Sequence, residues 1–176
     1  MKSLLLSLTL IVSTFCSSAL QADAPRDPYQ YFFNETFGDF SEELQSARDA
    51  GKKGVVLFFE MDECPFCQYM KGNVLNQQVV QEYYRENFLI FSVDIEGDVE
   101  IVDFTGTSMP QKDFAFKKNR VRATPVIAFY DLTGKRIHRH TGKTSGVKEF
   151  MLMGEFVAEG HHEKLSFTRF KRSKKK

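Results

Sequence analysis

The chain has 176 residues, enough for one domain with a sizeable core and too few for two comfortable ones. With 24 Lys+Arg against 23 Asp+Glu it is close to neutral, so net charge gives no case for nucleic-acid binding.

The N-terminus has the pattern of an export signal. Lys2 supplies the positive end, Leu4 to Phe15 an apolar run, and Ser17 to Ala22 a small-residue stretch with cleavage expected after Ala22. The run is short for a transmembrane helix, and the bulky Phe15 before Cys16 suits a lipidation site poorly. A retained anchor and a lipidated form are the alternatives to a free periplasmic protein. Cleavage leaves 154 residues with 23 charges of each sign and only two cysteines, Cys64 and Cys67. Such a protein has no thiols left for a structural disulfide, and the pair is available for exchange.

The expected domain runs over 23–160. Tyr29, Tyr31, Phe32, Phe33, Phe37 and Phe40 form an aromatic N-terminal arm, expected to lay its rings on the core. Ser41-Glu42-Glu43 predicts a helix start, with a cap and an acidic first turn, closing near Gly51. Gly54 to Phe59 is a continuous run of β-branched, aromatic and other apolar residues, which predicts a strand buried on both faces.

Cys64-Pro65-Phe66-Cys67 follows at the turn from that strand into a helix over 68–75, with Met70 and Val74 facing inward. Cys64 stands near the N-cap and Pro65 at the first helical position, where its missing N–H costs nothing. Free amides and the positive end of the helix dipole favour a thiolate on Cys64, and thiolate is the reactive form. Cys67 shares that helix face and can close a disulfide onto Cys64. The pair reads as a dithiol redox site. Two other readings stay open. A zinc site needs two more ligands from His138, His140, His161 and His162. A stapling disulfide over so short a loop stabilises little. Haem attachment is excluded because Gln68, not histidine, follows Cys67.

Asn76 is expected to cap a second helix over 77–87, with Val79, Val80 and Tyr83 inward. Phe88 to Ile95 predicts another buried strand, and 96–110 is irregular with room for a short strand at 100–104. Gln111 to Asn119 predicts a short helix and Pro125 to Tyr130 a third apolar strand. Leu132-Thr133-Gly134 turns into a hairpin partner over 135–140, where His138 and His140 share an expected surface face. Val147, Phe150, Met151, Val157 and Ala158 mark a final helix ended by Gly160. The tail, 161–176, carries seven basic and no acidic residues from Lys164 on, and is expected to end in solvent. Strands and helices alternate, then finish with a hairpin and a helix. This predicts an α/β sandwich with a mixed central sheet.

Between Phe37 and Phe170 the chain resembles the thioredoxin superfamily. The likeness rests on Cys64-x-x-Cys67 between strand and helix, Ala123-Thr124-Pro125 opening a later strand, and Gly142 before the last helix. Asp94-Ile95-x-Gly97-Asp98, Asp103-Phe104, Val121-Arg122 and Phe129-Tyr130-Asp131 with Gly134 are similar to the exported thioredoxin of bacterial sulfur-oxidation systems. The resemblance implies a cis Thr124-Pro125 bond facing the cysteines, with the Thr124 backbone free to pair with a substrate strand. An ordinary trans proline opening a strand is the alternative. With the cis bond, the resemblance implies substrate contacts at Pro65, Phe66, Thr124 and Pro125.

The chain departs from the family at three places. Glu63 stands where thioredoxins have Trp, and Phe58 where they bury the Asp that helps deprotonate the second cysteine; Glu60 is the candidate proton acceptor in its place. Asp62 and Glu63 put negative charge beside Cys64. Pro65-Phe66 is more like the glutaredoxin dipeptide, but Asp131 to Gly134 lacks the element that helps hold glutathione there.

The expected activity is disulfide exchange, Cys64 as nucleophile and Cys67 resolving, with no cofactor and no metal. By resemblance it is a reductase of disulfide-bearing exported proteins, recharged by a membrane thiol electron donor. A monomer is expected. The alternatives are an oxidase or isomerase, and a metal- or partner-binding module without turnover.

Overall fold

The computed structural model describes residues 24–175, so the expected leader over 1–22, Cys16 included, lies outside the described residues. Four strands form the main sheet in the order β2-β1-β5-β6: β1 (Gly54–Glu60), β2 (Phe88–Asp94), β5 (Val126–Tyr130) and β6 (Arg136–Thr141). β1 runs parallel to β2 and antiparallel to β5, and β5 runs antiparallel to β6. The mixed α/β sandwich expected from the alternation is the fold observed. β3 (Glu100–Val102) and β4 (Ser108–Pro110) add a small antiparallel hairpin, whose second strand lies in the stretch read as irregular.

Every residue of β1 is buried, which explains its unbroken apolar run. Alternation sends Val56 and Phe58 to one core and Val55, Leu57 and Phe59 to the other. The first core is covered by α3 (Pro65–Asn73), α4 (Gln78–Asn87) and α6 (Val147–Ala158). The second is covered by α2 (Phe40–Asp49) and by α5 (Gln111–Asp113), which runs on into a π-helical turn at Phe114–Lys118. Gly54 lets β1 meet the end of β5 closely. A Cβ there would stand 2.2 Å from the Tyr130 carbonyl oxygen.

Four expectations about the helices and their caps are corrected. Asp39, not Ser41, caps α2: its carboxylate accepts from the Ser41 and Glu42 amides. α4 begins one residue later than expected and turns Val80, Gln81 and Tyr84 inward, leaving Val79 exposed. Gln81 tolerates burial because its side-chain amide donates to Leu75 O at 2.9 Å and Arg26 O at 3.1 Å. Asn76 instead serves the end of α3, donating to Gly72 O.

The arm (with the short α1, Pro28–Tyr31) divides its rings. Phe32, Phe33 and Phe40 are buried, while Tyr29, Tyr31 and Phe37 stay exposed. The tail does not run off into solvent. A 3-10 turn (His161–Glu163) leads into α7 (Phe167–Ser173), which buries Phe170 against Phe156 at 5.5 Å between centroids. Burial of a phenylalanine contributes about 2 kcal/mol, more than exposed tail charges oppose at ordinary salt. Lys171 and Lys174 also pair with Glu149 and Glu155 of α6.

That covering changes β6. His138 does not face solvent but packs against Phe129, Phe156 and Phe167, with centroids 5.2–5.8 Å away. Among the described residues no helix is long and apolar enough to cross a membrane.

Candidate active site

The end of β1 delivers the chain through Met61-Asp62-Glu63 to Cys64, the N-cap of α3, with Pro65 at the first helical position. Cys64 and Cys67 form a disulfide. The Cys67 amide donates to Cys64 Sγ at 3.0 Å, and the Thr124 hydroxyl donates to the same sulfur at 3.1 Å. Here the disulfide sulfur stands in for the thiolate of the reduced form. Two donors already aimed at Sγ are the arrangement that holds a negative sulfur.

The two cysteines are unequal in cover. Cys67 is wholly buried and Cys64 is 3% exposed, while Phe66 between them is 53% exposed. Met70 and Val74, the expected inward positions of the helix, are both buried.

Thr124 and Pro125 stand at the mouth of β5, and the peptide bond between them is cis. The Gly142 amide donates to Pro125 O at 2.8 Å, which ties the loop after β6 to the start of β5. One residue on, Lys143 Nζ lies over the rings of Phe66 and Tyr69, at 5.7 Å and 4.2 Å from their centroids. Pro65, Phe66, Thr124 and Pro125 therefore gather around Cys64 with Lys143, a residue that motif reading did not single out.

Glu60, at the end of β1 on the face shared with Phe58, is buried in a polar cluster. It accepts from Lys71 Nζ at 2.7 Å, from Ser92 Oγ at 2.5 Å and from the Tyr29 hydroxyl at 3.3 Å. Lys71 also donates to the Tyr29 oxygen at 2.8 Å. Burial alone disfavours the Lys71 cation, but the hydrogen bonds it donates to Glu60 and Tyr29 outweigh it and hold its pKa above the usual lysine value. Lys71 follows Cys67 by one helical turn, a spacing visible in the sequence. Nothing in the sequence marks Tyr29, 31 residues before Glu60, as its partner. A cavity of about 550 Å³ between the arm and α3 opens beside this cluster, with Asp62, Gln68 and Lys71 on its wall.

The family model of the thioredoxin-like domain matches residues 40–157. The chain belongs to the thioredoxin-like domain family. No match was found among curated proteins. Solved structures show the same thioredoxin-like fold at low identity. A thioredoxin-fold protein from Helicobacter pylori is 24% identical, with 69% of this chain and 82% of that one covered and a TM-score of 0.58. A putative disulphide-isomerase from Bacteroides thetaiotaomicron is 20% identical, with coverage of 78% and 98% and a TM-score of 0.57. The reduced DsbD C-terminal domain of Neisseria meningitidis is 20% identical, with coverage of 67% and 92% and a TM-score of 0.51. The aromatic arm up to Phe37 and α7 both fall outside the span matched to the thioredoxin-like domain.

Proposed function

We propose that this thioredoxin-like protein is an exported thiol–disulfide oxidoreductase that reduces disulfides in other periplasmic proteins. The observation that carries the reading is Cys64 Sγ at the N-cap of α3, hydrogen-bonded by the Cys67 amide and the Thr124 hydroxyl. The fold, the C-x-x-C pair and the signal-like N-terminus support it together.

In the reduced protein the Cys64 thiolate attacks one sulfur of a substrate disulfide. The other substrate sulfur leaves as a thiolate and takes up a proton, and a mixed disulfide forms. Cys67 then gives up its proton and attacks Cys64 Sγ, which releases the second substrate thiolate. Two electrons pass to the substrate and the protein is left with the Cys64–Cys67 disulfide. The two substrate thiolates are protonated by the proton Cys67 gave up and by one from solvent, which balances the proton Cys64 lost in forming its thiolate. Glu60 is the acceptor for the Cys67 proton, through the cluster that Lys71 joins one turn beyond Cys67. Pro65, Phe66, Thr124 and Pro125 form the surface the substrate strand lies on. No cofactor or metal takes part. A membrane thiol carrier returns the electrons, as in the exported thioredoxins of sulfur-oxidation systems that the sequence resembles.

Direction follows from the thiolate. An oxidant of about −120 mV needs a strongly stabilised anion. Asp62 and Glu63 beside Cys64 work against one, and no histidine stands in the motif. Equilibration in glutathione buffers, with free thiols counted, is expected to give a potential below about −180 mV. A value near −120 mV makes the protein an oxidase instead.

A further inference from the structure

The surface around Cys64 is split by charge, and the split follows the two sides of α3. Successive residues turn by about 100° on a helix, so Phe66 and Tyr69 lie on one side while Gln68 and Lys71 lie on the other. Lys143 covers the Phe66–Tyr69 side. Arg122, two residues before the Thr124 that bonds Cys64, lies over the exposed ring of Phe116, with Cζ 5.3 Å from the centroid. Arg120 stands just before it in the same loop, also exposed. Among the described residues none of Arg120, Arg122 and Lys143 has a carboxylate within ion-pair distance.

The other side is acidic. Asp62 and Glu63 are exposed, and Asp62 faces the cavity that Gln68 and Lys71 line. The cations nearest that cavity are already engaged: Lys71 with Glu60 at 2.7 Å and Arg26 with Glu82 at 3.5 Å. Of the cations named here, those left without a carboxylate partner among the described residues are the ones carried by the Thr124 and Gly142 loops that flank the sulfur.

We infer that the protein selects disulfides whose flanking residues are acidic, with the carboxylates laid against Arg122 and Lys143 and an apolar side chain against Phe66 or Phe116. Arg120 adds to the same field. The selection rests on the exchange chemistry proposed above and uses the same electron balance. Unpaired cations beside a reacting sulfur raise the encounter rate of anionic partners and lower that of cationic ones. The exposed rings under the cations supply apolar contact that is indifferent to charge.

The test uses the reduced full-length protein and synthetic peptides, each with one cysteine in mixed disulfide with 2-mercaptoethanol. Two carry glutamates, before or after the cysteine, one carries lysines and one is uncharged. Bis(2-hydroxyethyl) disulfide serves as a neutral probe of the chemistry itself. At low salt at least one glutamate peptide is expected to react about tenfold faster than the lysine peptide. That ratio should shrink toward one as salt rises from about 0.01 M to about 1 M and the screening length falls from about 30 Å to about 3 Å. In the Arg122→Glu, Lys143→Glu double variant the order should invert.

Equal rates for all charged peptides, with the neutral disulfide still reduced, overturn the selectivity alone. A preference that survives high salt, or that persists in the double variant, also overturns it. Failure to reduce the neutral disulfide overturns the exchange reading and this inference with it.

Discussion

Lys71 Nζ lies 2.7 Å from Glu60 Oε2, and the two side chains are 12% and 10% exposed. The pair joins the C-x-x-C helix to the end of the central strand, on the face where a plain apolar residue, Phe58, precedes it. Tyr29 closes the pair from above with its hydroxyl and its ring, whose centroid is 5.0 Å from Lys71 Nζ. The aromatic arm is therefore part of the polar environment of α3 as well as part of the core.

Removing one member of such a pair leaves the other charge buried. Lys71→Met should destabilise the fold by about 3 kcal/mol, because Glu60 keeps only the weaker donors Ser92 and Tyr29. Tyr29→Phe should cost less than about 1 kcal/mol, since the ring remains and the ion pair survives. Urea denaturation of both variants checks the order.

Glu60→Gln tests the proton step. The first attack by Cys64 should proceed at nearly the original rate, while the mixed disulfide should live longer near neutral pH. Raising the pH should shorten that lifetime again, because Cys67 then loses its proton without an acceptor. Quenched-flow trapping of the mixed disulfide measures it. Equal lifetimes for the two proteins across the pH range remove Glu60 from the mechanism.

Thr124→Val deletes the hydroxyl that donates to Cys64 Sγ at 3.1 Å and keeps the side-chain shape. A hydrogen bond to a charged group is worth about 1.5 kcal/mol or more, so the Cys64 thiol pKa should rise by about one unit. The rate of Cys64 alkylation against pH reports that shift.

His138 sets a pH window for stability. Burial first, then the neighbouring His140 and His162, push its pKa down to about 4. Among the described residues its Nε2 has no hydrogen-bond partner, and neither do His140 Nε2 and His162 Nδ1. The unfolded chain takes a proton near pH 6.5, which the folded protein accepts only near 4. The contribution of His138 is full above about 6.5 and falls away as the pH drops to about 4, by about 3 kcal/mol in all. The urea midpoint should fall over that window, and His138→Phe should flatten the fall. Loss continuing below pH 4 belongs to carboxylates such as Glu149, for which burial opposes ionisation but the Lys171 and Ser145 hydrogen bonds prevail and lower the pKa to about 2.

Much of the architecture was legible because local signals agree with the tertiary answer. The apolar run over 54–59 that makes most of β1 and the Cys64-Pro65 helix start each specify their own structure. The π-helical turn, the second hairpin strand and the face of α4 were not legible, since each depends on what packs against it. Gln81 is buried only because Leu75 O and Arg26 O lie within reach. His138 alternates like a surface residue and is covered only because Phe167 and Phe170 fold back from the tail. Around the sulfurs, the motif residues were legible and their partners were not. Lys143, from the loop after β6, and Tyr29, from α1, lie 76 and 38 positions away from Cys67, and no periodicity around Cys67 points to them.

The most direct measurement is to trap the intermediate with one cysteine at a time. Cys67→Ser, reduced and mixed with a disulfide-bonded protein substrate, should accumulate a mixed disulfide at Cys64, identified by mass spectrometry of the linked peptides. Cys64→Ser should accumulate little or none, since Cys67 is wholly buried and lacks the helix terminus. Linkage chiefly through Cys67, or none with either variant, contradicts the account.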